Sequence, residues 1–442
     1  MEDELSQNST HQVRVRSVTG YGGGVANTRR SFLDAQLDPI LGSEHTLASL
    51  LNAIDEVYSN LASLGIYDKV AFGLDAPRPI IFSSRSCIDL DATMHLTSAK
   101  RFLARTGTDI GNGEGGGYAN FSIKNMFGGA EYLSMDATLG TRTRSSYVGQ
   151  FSTPINNSAR WRAELSAYSV DRAISWASHE QVIRGLAAKI KSTPSFSSST
   201  SQELGYEFIW RTLSATADYT SATVRDQLGT SIKSSVYHTI AHDTRDNHLA
   251  PTKGFYLKAT QEIAGLGGHG TPYIKSSFES QAATGTANKR VSASVGARGG
   301  LLWMSQNQLS CLADRFFLGG PNDVRGFYLN SLGPRDGSDY VGGDSYFAWG
   351  VNVLTKLPKL DEQNPLRAQW FLNGGSVLPL DHQNVGNTIK QLVKYPSVAT
   401  GLGLVYIHPA ARFELNFTLP LIARQTDGIR KGIQFGVGIS FL

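Results

Sequence analysis

Beyond Arg105 one pattern recurs to the end of the chain: apolar and polar residues alternate singly, in segments long enough to be strands. Phe413, Leu415, Phe417 and Leu419 alternate with Arg412, Glu414, Asn416 and Thr418. Leu133, Met135, Ala137 and Leu139 do so with Ser134, Asp136 and Thr138, and Trp161, Ala163 and Leu165 with Arg160, Arg162 and Glu164. Tyr206, Phe208 and Trp210 continue the series, and no amphipathic helix is predicted in this part of the chain. Successive side chains of a strand point to opposite faces, so each segment predicts a strand with one apolar and one polar face. A large sheet built this way needs an apolar medium on one side and water on the other.

That medium is either a second sheet, as in a soluble sandwich, or lipid. Length favours lipid. Residues 105 to 442 shared among 16 strands allow about 21 residues each, enough for a spanning strand of about 10 with its turns and some longer loops. A barrel of that size encloses water, which keeps inward Arg and Glu hydrated. Mean hydropathy is −0.20. No run approaches the roughly 18 apolar residues of a membrane helix. Alternating strands dilute any sliding average, so that value does not argue for a soluble protein. The chain is charge-poor and glycine-rich, with 18% charged residues and 46 Gly, which sets it apart from an average soluble protein.

The net charge of +4 is small and the basic residues are scattered, so no nucleic-acid partner is expected. Cys87 and Cys311 stand far apart and give neither a disulfide framework nor a metal-type spacing. Met1 to Thr10 are polar and acidic, without the basic start and apolar core of a secretory signal or the Arg-rich character of a matrix transit peptide. Residues 1–12 are expected to form a flexible tail.

The N-terminal part has a different period. From Ser43 to Gly65, Leu47, Leu50, Leu51, Ile54, Tyr58 and Leu61 recur at three- and four-residue spacing, predicting a helix with Ser43 as N-cap and Gly65 as its stop. A shorter helix is predicted from Thr28 to about Asp38, after a strand at Val13 to Val18. Strands follow at Ile66 to Leu74 and Cys87 to Thr97; in the second, Ile88, Leu90, Ala92, Met94 and Leu96 share one face. The order is strand, helix, helix, strand, strand.

Catalytic motifs fail on context. Gly111-x-Gly113-x-x-Gly116 and Gly265-x-Gly267-x-x-Gly270 match a dinucleotide fingerprint, but strand-like sequence follows each, leaving no helix N-terminus for a pyrophosphate. His238 and His242 would lie about 13 Å apart on a strand, too far to share a metal. No catalytic residue, metal or cofactor is expected, and the chain is not read as an enzyme.

Three segments carry a more specific signal. Arg315 to Phe327, RFFLGGPNDVRGF, places Gly319 and Gly320 ahead of Val324, Arg325, Gly326 and Phe327, with the Gly-rich run Gly333 to Gly343 and a strand, SYFAWGVNV, after it. Asp243, Arg245 and Asp246 precede Pro251 and Gly254, a turn signature. From Lys431 to Leu442, Ile433, Phe435, Val437, Ile439 and Phe441 alternate with Gln434, Gly436, Gly438 and Ser440; Gln434-x-Gly436-x-x-Ile439-x-Phe441 fits the mitochondrial β-signal.

With the N-terminal order of elements, these residues resemble the outer-membrane assembly barrels, the core subunits of the bacterial BAM and mitochondrial SAM machines. The resemblance implies a mostly β fold: a 16-stranded antiparallel transmembrane β-barrel over residues 101–442, preceded by one α+β POTRA domain (β-α-α-β-β) over residues 13–100. It implies that the loop at about 312–343 enters the lumen, where Arg325 pairs with an acidic residue. A guanidinium offers a carboxylate the planar fork that Lys lacks. Glu414, on the predicted inner face, is preferred over Asp344, which sits near a strand start.

One POTRA module, the absent secretory signal and the β-signal point to the mitochondrial SAM core, in the outer membrane with its POTRA in the intermembrane space. Expected partners are accessory SAM subunits, β-barrel precursors with C-terminal β-signals, and membrane lipids. The expected mechanism pairs the client β-signal with the first barrel strand at a lateral gate. That strand is placed at Tyr118, Asn120, Phe121, Ile123 and Phe127, opposite Gln434, Gly436, Gly438, Ile439 and Phe441 on the last strand. The glycines weaken the last strand and ease its displacement. A bacterial or plastid assembly or translocation barrel, a passive β-barrel pore and a soluble β-rich binding protein are the alternatives.

Overall fold

The computed structural model describes residues 9–41, 44–75, 88–111, 114–194, 198–216, 220–288, 290–305, 309–358, 364–438 and 441–442. Ser43, Cys87, Gly113, Ile439 and Ser440 lie outside these residues, as does the predicted tail up to residue 8.

The main elements of the N-terminal unit are β1 (Gln12–Tyr21), α1 (Arg30–Leu37), α2 (Leu47–Ser63), β2 (Tyr67–Asp75) and β3 (Ile88–Ser98), with a one-turn helix at Gly23–Ala26 and a two-residue edge strand at His45–Thr46. In its sheet β3 lies between β1, to which it is parallel, and β2, to which it is antiparallel. α2 starts at Leu47, four residues after the predicted cap, because the Thr46 hydroxyl accepts the Ser49 N–H at 3.2 Å. Leu50, Ile54, Val57 and Leu61 turn inward, whereas Tyr58, assigned to the same stripe from its spacing, is exposed. The inward residues meet Val13, Val15, Phe32, Met94 and Leu96 in a closed apolar core. Full burial of each Leu or Phe contributes about 1.5–3 kcal/mol.

Sixteen antiparallel strands then follow in sequence order. They are β4 (Phe102–Gly111), β5 (Glu114–Lys124), β6 (Tyr132–Gly140), β7 (Thr143–Pro154), β8 (Trp161–Ile174), β9 (His179–Ser192), β10 (Thr200–Ala215) and β11 (Gly229–Asp243). After these come β12 (Gly254–Ala264), β13 (Tyr273–Gly285), β14 (Val291–Met304), β15 (Ser345–Lys356), β16 (Leu366–Leu378), β17 (Ser397–His408), β18 (Ala411–Ile422) and β19 (Gly432–Gly438). Burial is inverted relative to the N-terminal unit. On β18, Phe417 is 62% exposed while Glu414 on the other face is 1% exposed. β4 and β19 are the two ends of the sheet and lie beside each other, yet among the described residues no backbone ladder joins them.

Three expectations need correction. The first barrel strand is β4, and Tyr118, Asn120, Phe121 and Ile123 lie on the second, β5, with Phe127 in the turn beyond it. β4 escaped notice because its outward row, Phe102, Ala104, Thr106 and Thr108, is mostly small or polar. Among the described residues the last strand ends at Gly438, and Phe441, expected to continue its outward row, is outside any strand and buried. A helix, α3 (Val385–Lys394), also lies beyond Arg105, between β16 and β17. Its Val, Ile and Thr residues read as strand formers, although Val385, Ile389, Leu392 and Val393 have helical spacing.

The N-terminal unit is tied to the barrel end that carries the β5–β6 and β7–β8 turns. The Arg29 N–H donates to the Gly128 carbonyl at 2.7 Å and its guanidinium meets the buried Glu131 at 3.0 Å. Lys124 donates to the Gly65 carbonyl at 2.9 Å, and the Ala99 N–H to the Ile66 carbonyl at 2.9 Å, just before β4.

Candidate functional site

The long connection from β14 to β15 folds into the lumen. Its Leu318, Val324, Phe327 and Leu332 pack on Ala348, Val377, Ala399 and Leu442. Gly319 and Gly320 turn the chain with φ of 112° and 125°. At Gly326 φ is 88°, and a Cβ there would stand 2.8 Å from that of Ala399, so both conformation and space require glycine.

Between these glycines Arg325 is fully buried. Its Nε and Nη2 donate to the two Glu414 oxygens at 2.9 and 3.2 Å, the bidentate fork that Lys cannot reproduce. Glu414 also meets Arg412 at 2.6 Å and accepts from Asn416 at 2.7 Å. The Arg325 guanidinium lies 4.8 Å from the Phe371 ring centre and 5.7 Å from that of Phe441. Asp344, the other candidate partner, instead accepts from the Leu380 N–H at 3.5 Å.

The loop also grips β19. The Gln434 side chain accepts the Gly326 N–H at 3.0 Å and donates to the Phe327 carbonyl at 3.2 Å. The Arg430 N–H donates to the Gly326 carbonyl at 2.9 Å, and the Tyr328 N–H to the Gly428 carbonyl at 2.9 Å. Asn322 donates to the Val437 carbonyl at 2.8 Å. A Cβ on Gly436 or Gly438 would come within 2.9 or 2.7 Å of the Asn322 amide, so these glycines make room for the loop as well as weakening the strand. The main-chain oxygen of Leu442 accepts from Arg325 at 3.3 Å and from Asn352 at 2.9 Å, which draws Phe441 inward.

The β11–β12 turn closes the other side of the lumen. Arg245 forks onto Asp243 at 2.9 and 2.7 Å and stacks 4.3 Å from the Tyr256 ring centre. Asp246 accepts the N–H groups of Thr252 and Lys253 at 2.8 and 3.1 Å, next to the buried Pro251. Desolvation pushes the Asp246 carboxyl up, and the Thr252 hydroxyl together with these backbone N–H groups outweighs it and holds the carboxyl below its usual pKa. Gly254, with φ of 100°, ends the turn. The Leu249 carbonyl of this turn accepts from Arg412 at 3.2 Å. One polar chain therefore runs from the turn through Arg412 and Glu414 to Arg325 and Leu442, beside a cavity of about 970 Å³ lined by Arg245, Arg298, Arg412 and Phe441.

The residues expected to form a gate are thus divided. Gln434, Gly436 and Gly438 sit at the seam against the lumen loop, whereas the five residues assigned to the opposing strand are one strand or more away. Asn322 and Arg412 were missed. Arg412 shares the inner face of β18 with Glu414, two residues on, and was legible from that spacing; Asn322, between Pro321 and Asp323, reads as an ordinary turn residue.

The Omp85 superfamily domain matches residues 125–441. A SAM50-like protein of Schizosaccharomyces pombe is 37% identical over the whole of this chain and 94% of its own length. The sorting assembly machinery 50 kDa subunit of Saccharomyces cerevisiae is 32% identical over 93% of this chain and 91% of its own length. The human sorting and assembly machinery component 50 homolog is 30% identical over 95% and 89%. Among solved structures, BamA from Haemophilus ducreyi lacking POTRA domains 1–3 superimposes with a TM-score of 0.74 at 14% identity, covering 96% of this chain and 84% of that one, which is a likeness of fold. With a matching domain over most of its length and relatives aligned nearly end to end, the chain belongs to the sorting and assembly machinery component 50 proteins of the Omp85 superfamily.

Proposed function

We propose that the chain inserts and folds β-barrel precursors in the mitochondrial outer membrane by exchanging its own last strand for the client's β-signal at the seam between β4 and β19. The observation that carries this reading is the seam itself: among the described residues the two end strands lie side by side without a ladder, and the described part of β19 has 7 residues. Each unpaired backbone group facing hydrocarbon costs several kcal/mol, so exchange of one strand for another is preferred over an empty opening. A client strand pairing with β4 satisfies those groups, and later hairpins add on the same template.

Gln434 occupies the polar position of the β-signal pattern, and its side chain is held by the main chain of Gly326 and Phe327. A client signal in the place of β19 presents its own polar residue to the same groups. In this reading residues 13–100 are a POTRA domain facing the intermembrane space, the working complex includes accessory SAM subunits, and no catalytic step or cofactor is required. Burial and pairing in the finished client drive the process.

The test is import of a barrel precursor carrying single cysteines along its last strand into mitochondria whose protein carries Thr106→Cys in β4. Disulfide adducts confined to alternate client positions are expected. Adducts equally abundant with a cysteine on β11 contradict pairing at β4. The passive-pore reading has no specific observation in its favour, since it gives no role to the loop contacts with β19.

A further inference from the structure

α3 lies on the outside of the barrel. On β16 the inward residues include Phe371, beside Arg325, and Val377, within the lumen cluster, so Trp370 and Ser376 face out. Trp370 is exposed like the rest of the outer belt, yet Ser376 is only 3% exposed, and the outward Ser345 of β15 is fully covered. The cover comes from Arg424, which donates to the Ser376 hydroxyl at 2.8 Å and to the Tyr395 carbonyl at 2.7 Å, and from the connection between β16 and β17, whose α3 rests on β15 and β16, burying Thr388 and Leu392. Just before it, His382 meets edge-on, at 5.7 Å, the ring of Trp303, an outward and exposed residue at the end of β14. This is the barrel end remote from the N-terminal unit, since β16 ends there and β5 and β7 end at the other.

The side of α3 turned away from the barrel is not polar. Ile389, Val393 and Tyr395 are exposed, at 43%, 58% and 57%, and Ile389 and Val393 are one helical turn apart on one flank. Lys390 and Lys394 follow around the helix, and Val385–Lys394 contains no acidic residue. Lys394 lies 5.2 Å from the Tyr395 ring centre.

We propose that α3 is an interfacial membrane helix, lying in the headgroup layer of the leaflet remote from the N-terminal unit. Ile389, Val393 and Tyr395 enter the acyl boundary, and Lys390 and Lys394 meet the phosphates of anionic lipids. Two observations select lipid over a protein partner. The exposed apolar residues of α3 stand at the remote end of the exposed outer belt, where His382, three residues ahead of the helix, meets the exposed Trp303, and that belt is the lipid face of the barrel. The charged flank is purely cationic, complementary to an anionic membrane surface, where each Lys strengthens partition by about fivefold. The helix thereby fixes the depth of the β15–β16 wall, three strands from β19. The proposal rests on the barrel spanning a membrane and not on the strand-exchange reading.

The experiment uses the full chain with Cys87 and Cys311 replaced by Ser, refolded into nanodiscs of phosphatidylcholine alone or with added phosphatidylinositol. An environment-sensitive fluorophore is placed at Val393→Cys or, on the polar side of α3, at Asn387→Cys. At position 393 emission should shift to the blue, with quenching by nitroxide-bearing lipids at least about threefold stronger than at 387 and quenching by aqueous iodide correspondingly weaker. The pair Lys390→Glu and Lys394→Glu should abolish the extra shift produced by phosphatidylinositol; persistence of that shift overturns the anionic-lipid assignment. Equal iodide quenching at both positions overturns membrane insertion, and so does shielding of position 393 that appears only when mitochondrial outer-membrane proteins are added. Heat-modified gel migration shows that each variant is a folded barrel, and no arm depends on assembly activity.

Discussion

The N-terminal unit and the barrel solve the same problem with opposite burial. In the first, Leu50, Phe32 and Met94 are inside, and water surrounds the rest. In the second, Phe417, Leu415 and Leu402 point outward, and Glu414, Asn416 and Gln434 are inside. Apolar contact stabilises the first unit internally, whereas the barrel takes it from lipid and uses its interior for ion pairs and hydrogen bonds. The interior is therefore the place where specific polar chemistry accumulates, and the lumen loop stands at its centre.

The sharpest way to break this comparison is Arg325→Ala. It removes one of the two guanidiniums facing Glu414 in a buried site, and breaking such a pair costs about 3–5 kcal/mol. The barrel should lose its heat-resistant gel form at a lower temperature, and Arg325→Lys should restore only part of it. In the N-terminal unit, Leu50→Ala should cost about 2–5 kcal/mol through the cavity it leaves. That loss should appear as protease sensitivity of residues 9–98, with the barrel's gel form unchanged. Phe417→Arg places a charge in the outer belt and should cost about 2–4 kcal/mol if the residue lies near the midplane, measured by denaturant titration in lipid vesicles. The smallest effect is that of Thr46→Ala, which removes the α2 cap and should cost about 1 kcal/mol, read from the same protease assay.

How far the sequence spoke depended on which medium each residue meets. Where one face is greasy and the next polar, as on β18, period two identified strand and face; the resemblance implied an acidic partner for Arg325, and the inward face favoured Glu414 over Asp344. β4 was invisible because a lipid-facing row of Ala and Thr lacks that contrast. α3 was hidden among β-branched residues whose helical spacing only makes sense once the outer wall behind it is known. Phe441 went wrong for a different reason. The force that turns the chain end inward acts on the Leu442 main-chain oxygen, which any residue would supply, so the alternation carried no sign of it. At the start of α2 the Thr46 hydroxyl takes the capping role that spacing assigns to Ser43.

The two regions also meet, through Arg29, Glu131, Lys124 and Gly65 at the turn next to β4 and through Gln36 and Ser31 on Asn157 of the β7–β8 turn. The fixed side of the seam is thus the one attached to that unit. The other side, β19, is held by the Asn322 side chain and the Gly326 and Phe327 main chain of the lumen loop and, among the described residues, by a ladder to β18 alone.

That asymmetry makes the seam the most direct test. Cysteine pairs introduced between Phe102–Thr108 of β4 and Gly432–Gly438 of β19, in a background lacking Cys87 and Cys311, can be locked by oxidation and released by reductant. The account predicts that locking arrests maturation of newly imported barrel precursors while leaving the protein folded, and that reduction restores it. Normal maturation of precursors by fully locked protein contradicts strand exchange at this seam.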